Sequence, residues 1–251
     1  MNKEMTPLRK RIWGIGFGIF LFLLWDFLSR QIDNSFILPG PGSVFQTIVQ
    51  NRLALFTVHL PATMVVVLLG GTSAVLIGIV LALVMDRYQL AARALYPIFT
   101  LSQTIPITCL APVFVLWFGY TIKMRVLAVI LMNFFAVTVD LYDGLQATAP
   151  GRMELLDTYG ANNKQKLLLL RFPTALPNLF SALHIVIPWS VVGAAVSEWL
   201  GASKGQGTYS RYCLGNLDAA GLLAPLFILS LVALALNGAV TLTERYCLKW
   251  M

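Results

Sequence analysis

The sequence predicts an all-α, polytopic membrane protein of about six transmembrane helices, on three observations. Hydrophobic residues make up 58% of the 251-residue chain and charged residues only 12%, against about 25% charged in soluble domains. Mean hydropathy is +0.76. Apolar stretches of the length needed to cross a bilayer, about 20 residues, recur along the chain. Backbone groups in lipid must be satisfied internally, so such runs form helices. The alternating pattern of a transmembrane barrel is absent. Residues 1–251 are expected to form one transmembrane domain.

The first span is expected at 12–29. It carries Trp13, Phe17, Phe20, Phe22 and Trp25 and lacks an A-x-A-like cleavage site, so it reads as a retained anchor. Leu38-Pro39-Gly40-Pro41-Gly42 then turns the chain into an amphipathic run, Val44 to Leu55, suited to the membrane interface. In the second span, 60–85, Gly70, Ala74, Gly78 and Ala82 recur every four residues and open one face to a neighbouring helix. Gly14 and Gly18 repeat the device once. The third span, 94–118, contains Pro97, Pro106 and Pro112, each of which removes a backbone donor and kinks the helix. Such breaks survive in membranes where they line a cavity or pack on neighbours, which makes Ser102, Gln103 and Thr104 candidates for a pathway wall. Spans four to six are expected at 124–141, 178–200 and 221–243. Asn133 and Ser190 add polar candidates there, although packing or interhelical hydrogen bonds explain each equally well.

Between the fourth and fifth spans lies the one long polar passage, 142–177. It reads Glu154-Leu-Leu-Asp-Thr-Tyr-Gly160, then nine residues, then Leu170-Arg-Phe-Pro173 and Pro177. Helix, glycine turn, basic helix and proline stop are expected in that order. With the N-terminus inside, twelve Lys and Arg fall on the cytoplasmic side: Lys3, Arg9, Lys10, Arg11, Arg87, Arg93, Arg152, Lys164, Lys166, Arg171, Arg245 and Lys249. The other six fall outside. This asymmetry favours both termini in the cytoplasm and puts the loop there too. It also explains the net charge of +7 without nucleic acid.

Chemistry-bearing motifs are missing. Cys109, Cys213 and Cys247 lack metal or redox spacing, and no G-x-x-x-x-G-K-[ST], H-E-x-x-H or C-x-x-C occurs, so no catalytic or metal site and no cofactor is expected in this chain. Ser181 and His184 lie three apart on a helix, without a nucleophile elbow or an acidic partner nearby. Asp26, Asp140 and Glu198 fall near span ends, where water lowers the cost of a charge. No acidic relay runs through mid-membrane, which points to an external energy source.

The loop is similar to the cytoplasmic signature of permease subunits from binding-protein-dependent bacterial ABC importers, an E-A-A-x-x-x-G followed nine residues later by I-x-L-P. Glu154, Gly160, Pro173 and Pro177 match. Leu155 and Leu156 replace the alanines, and Leu170 and Phe172 stand for Ile and Leu. Leu38-Pro-Gly-Pro, Ile105-Pro with Leu116-Trp-Phe-Gly119, and Ser197-Glu-Trp-Leu-Gly201 with Gly205-Gln-Gly207 resemble the nitrate, sulfonate and taurine branch. The resemblance implies a type I importer permease fold whose coupling helix docks in a groove of an ABC ATPase dimer. The coupling residues would be Glu154, Gly160, Ala161, Lys164, Leu170, Pro173 and Pro177. ATP and Mg would be bound by the ATPase partner, and substrate would arrive on a periplasmic or lipoprotein binding protein. The resemblance further implies a permease homodimer in the inner membrane, carrying nitrate, a sulfonate such as taurine, or a small nitrogenous compound such as a pyrimidine precursor. Two other readings are an ATPase-independent carrier or channel, disfavoured by the absence of clear inverted repeats, and an intramembrane hydrolase, which lacks a paired nucleophile and base.

Overall fold

The computed structural model describes residues 7–32, 34 and 36–249, and every regular element among them is helical. In chain order these are α1 (Pro7–Ile32), α2 (Pro41–Gln50), α3 (Leu60–Arg87), α4 (Gln89–Ser102), α5 (Ile107–Phe118), α6 (Ile122–Gln146), α7 (Pro150–Thr158), α8 (Asn163–Lys166), α9 (Phe172–Trp199), α10 (Gln206–Gly215) and α11 (Ala219–Cys247). Lys3 lies outside the described residues.

Among the described residues, four helical stretches are long and apolar enough to cross a bilayer: Ala54–Arg87, Ile122–Gln146, Asn163–Trp199 and Ala219–Cys247. Two of them are longer than their sequence suggests, for the same reason. A π-helical turn, Ala54–His59, runs into α3, and another, Leu167–Arg171, joins α8 to α9. Each ends two residues before a proline. The Leu60 N–H donates to the Leu55 carbonyl ahead of Pro61, and the Phe172 N–H to the Leu167 carbonyl ahead of Pro173. A prolyl ring collides with the carbonyl four residues back and offers no N–H; a wide turn at that place loosens the ladder where the ring must fit. The fifth span therefore does not start at 178, and Pro173 and Pro177 do not stop a helix. Asn163–Trp199 is one helix of 37 residues.

The third span departs in the other direction. It is two short helices, α4 and α5, rather than one kinked rod. Pro97 and Pro112 sit inside them, and Pro106 caps α5 in extended conformation (φ −60°, ψ 125°). The dividing proline is the one whose predecessor, Ile105, is pushed out of the helical region.

Three helices, α3, α6 and α9, make the core. Small residues let their backbones approach, since in lipid close packing rather than hydrophobic burial drives association. Gly70, Ala74, Gly78 and Ala82 are all buried on α3. A Cβ on Gly70 would lie 2.6 Å from the Val129 Cβ of α6, and one on Gly78 2.6 Å from that of Val137. Gly144 of α6 meets Asn178 of α9 in the same way. By contrast, Gly14 and Gly18 of α1 have nothing within 4 Å, and the described apolar side chains of α1, such as Phe17, Phe20 and Phe27, are exposed.

Candidate coupling site

The polar passage folds into an exposed arm on a rigid base. α7 buries no residue; Glu154, Leu155 and Tyr159 are exposed, and no side chain among the described residues pairs with the Glu154 carboxylate. Gly160 ends the helix with φ +70°. The Ala161 N–H donates to the Leu156 carbonyl at 3.0 Å and the Gly160 N–H to that of Asp157 at 2.9 Å, the paired bonds of a Schellman cap. A left-handed residue is needed there, and glycine takes it without strain.

Asn162 starts the next helix at once. Its Oδ1 accepts from the Gln165 N–H at 2.9 Å, and its own N–H donates to Gln165 Oε1 at 2.8 Å, a reciprocal capping box. Lys166 bonds Asp157 back across the turn and ties the two short helices together. Lys164 is exposed and has no partner among the described residues. Ala161, Leu170, Pro173 and Pro177 are half-buried at the root.

Below the arm, Arg171 holds three helices together. Its Nη1 donates to Asp86 Oδ2 at 2.9 Å, its Nη2 to Asp86 Oδ1, and its Nε to the Leu145 carbonyl at 3.3 Å. Gln146 Nε2 adds a bond to Asp86 Oδ1 at 2.9 Å. The ends of α3 and α6 are thus tied to the helix that carries α7. Nothing in the local sequence flags Asp86, whose partner is 85 positions away; the one available signal is a lone acid at the end of an apolar span.

The pathway candidates are not gathered at one place. Ser102, Gln103 and Thr104 are exposed at the break between α4 and α5, where the Ser102 and Thr104 hydroxyls donate to the Phe99 and Leu101 carbonyls. Asn133 is buried in α6 and donates to the Val129 carbonyl at 2.7 Å. Ser190 is buried against Gly71, its hydroxyl without a partner, beside an apolar groove of about 560 Å³ between α3, α9 and α11.

Two ionisable residues differ from expectation. Glu198 is fully buried rather than wetted. Its Oε2 accepts from the Gly207 N–H at 2.8 Å, while Gln206 reaches the Thr63 hydroxyl through its N–H and the Leu55 carbonyl through Nε2. Gly205 fits because a Cβ there would lie 2.2 Å from the Glu198 carboxyl carbon. The glutamate and the G-Q-G are therefore one device, clamping α10 to the starts of α3 and the end of α9. His184 bonds Asn237 and Glu244 on α11 through its two ring nitrogens, so neither nitrogen serves Ser181. Among the described residues no three His, Cys, Asp or Glu come together as metal ligands.

The exposed helical arm thus stands on a buried charge pair that ties its root to two other helices. The family comparison decides what kind of protein uses it. Residues 74–246 match the family of binding-protein-dependent transport system inner membrane components. The chain belongs to that family. It is 39% identical to the formylaminopyrimidine transport permease protein ThiX of Halalkalibacterium halodurans, over 93% of this chain and 94% of that one. It is 29% identical to the riboflavin transport system permease protein RibX of Chloroflexus aurantiacus, over 100% and 96%. It is 25% identical to the taurine transport system permease protein TauC of Escherichia coli, over 93% and 87%. The fold is that of type I ABC importer permeases. A crystal structure of an amino acid ABC transporter with histidines superimposes with a TM-score of 0.66 at 19% identity, over 80% of this chain and 98% of that one. An inward-facing form of the MetNI methionine ABC transporter gives 0.61 at 19%, over 81% and 97%.

Proposed function

We propose that this permease moves a small nitrogenous organic solute, a formylated aminopyrimidine or a close analogue, inward across the bacterial cytoplasmic membrane. ATP hydrolysis in a separate ABC subunit drives the movement. The observation that carries the substrate class is the 39% identity to ThiX across nearly the whole of both chains, well above the 25% to the taurine permease. The observation that supports the ATPase partner is α7, a helix with no buried residue and an unpaired carboxylate at Glu154.

In this reading α7 seats in the ATPase, and Glu154 meets a basic residue there. Closure of the ATPase dimer displaces α7. The Schellman turn and the capping box pass that displacement to the long helix, and the Arg171–Asp86 tie spreads it to α3 and α6. For ATP to drive anything, the ATPase must bind one conformation of the permease better than the other. A homodimer of the chain and a substrate-loaded binding protein complete the assembly.

The test is uptake into proteoliposomes containing the permease with an ABC ATPase and a substrate-binding protein from the same host. Radiolabelled formylaminopyrimidine and taurine are compared with and without internal ATP. ATP-dependent uptake of the pyrimidine alone is expected. Uptake that persists without the ATPase would make the chain a secondary carrier, and taurine uptake would move the substrate to the sulfonate class.

A further inference from the structure

At the α7 end of the molecule, a cavity of about 340 Å³ opens between the end of α3, the first turns of α4, the end of α6 and the π turn before α9. Met85 and Ala92 supply its apolar part. The rest of its lining is polar: Asp86, Gln89, Arg93, Tyr142, Gln146 and Arg171. The charges do not cancel. Asp86 is matched by Arg171, which leaves the Arg93 guanidinium as an unmatched cation. Among the described residues, no hydrogen bond or ion pair engages the side chains of Arg93, Gln89 or Tyr142. Arg171 spends its Nε and both guanidinium ends on Asp86 and Leu145, yet with five N–H donors it keeps one on Nη1. Free donors thus converge on a cavity with a net positive lining.

The surroundings are those of an amphiphile's site. Tyr88 and Leu90 at the start of α4 are 61% and 81% exposed, and Tyr96, on the helix face that carries Gln89 and Arg93, is 40% exposed. Arg87, the residue after Asp86, lies over the Tyr88 ring at 5.9 Å. Such surroundings suit an amphiphile with a charged head and apolar chains. Basic pockets between spanning helices at the membrane surface take anionic headgroups in this way.

We propose that the cavity binds the phosphate group of an anionic phospholipid. Arg93 and the free N–H of Arg171 are its charged contacts, and Gln89 and the Tyr142 hydroxyl its neutral donors. A free phosphate shares the headgroup's chemistry but gains nothing from the apolar face of α4, which favours the lipid.

The test is native mass spectrometry of the detergent-purified chain with phosphatidylglycerol, phosphatidylethanolamine or inorganic phosphate. Wild type is expected to retain phosphatidylglycerol in preference to phosphatidylethanolamine, and millimolar inorganic phosphate should not displace it. Arg93→Glu should weaken retention by about tenfold or more, the equivalent of one hydrogen bond to a charged group, with Arg93→Lys in between. Arg93 is exposed and unpaired, so its variants should unfold at the wild-type temperature without lipid. If Arg93→Glu does not, Gln89→Ala/Tyr142→Phe takes its place. Equal retention by wild type and variant, or no preference between the lipids, overturns the proposal. Displacement by inorganic phosphate overturns the lipid as occupant. Neither transport nor an ATPase enters the measurement, so it stands apart from the proposed function.

Discussion

Replacing Asp86 with alanine strands a buried guanidinium, and the loss can be worked from the geometry. The Asp86 side chain is 7% exposed and that of Arg171 20%, so the pair is mostly withdrawn from water. Removing one partner of a buried pair costs about 3–5 kcal/mol. The remaining exposure of Arg171 and its bonds to the Leu145 carbonyl reduce this to about 2–3 kcal/mol. For a chain of this size that is a fall in Tm of about 4–12 °C. Arg171→Leu should cost a similar amount, because Asp86 then keeps only the Gln146 amide. The double variant Asp86→Leu/Arg171→Leu leaves no stranded charge and should lose less than the sum of the singles by about 2 kcal/mol. Thermal unfolding of the detergent-purified protein, followed by tryptophan fluorescence, reads all three. Strict additivity would refute the tie between α3 and the root of the long helix.

Three further outcomes follow from the same geometry. Gly160→Pro removes the N–H that bonds the Asp157 carbonyl and sets φ near −65° where +70° is needed. ATP-dependent uptake should vanish while membrane insertion, checked by fractionation, is unchanged; normal uptake would show that the turn transmits nothing. Gly78→Val would drive a Cβ to 2.6 Å from Val137 and should cost about 1–3 kcal/mol by overpacking. Gly14→Val, with nothing within 4 Å, should cost the isolated chain far less, and equal unfolding temperatures would contradict the close approach of α3 and α6. Burial, then the Asp218 carboxylate, push the Cys213 thiol up to about 11. A raised thiol pKa keeps the protonated, unreactive form at pH 8, so Cys213 should react with N-ethylmaleimide about 100-fold more slowly in the folded protein than after SDS unfolding. Fast labelling without SDS would place it at the surface.

Local pattern was readable and distant pairing was not. The stripe of Gly70, Ala74, Gly78 and Ala82 declares itself by its period, and Gly160 marks the turn because few other residues accept its φ. The break after Ser102 was legible only as three prolines, since composition does not say which one divides a helix. Pro106 does so, whereas Pro97 and Pro112 ride inside α4 and α5. Reading Pro173 and Pro177 as a stop failed because a π turn accommodates the first of them. The capping box was present as Asn162 and Gln165 and went unread. Asp86 with Arg171, and Glu198 with Gly207, could not be paired from sequence, because their meeting depends on how α3, α6 and α9 stack. The candidate coupling residues, Glu154 on α7 and those that follow it, are legible from motif alone; the structure adds the base beneath them.

The two π turns have a consequence for length. A residue added to an α-helix rotates everything beyond it by about 100°. Leu167–Arg171 closes on a wider ring, which takes up one residue more than an α turn for nearly the same rotation. Deleting one residue there would restore an ordinary helix and leave α7 facing nearly the same way. Deleting one farther along α9 would swing the arm round by about 100°, with every side chain on it intact. The π turn is thus a place where the chain can change its count without re-aiming α7.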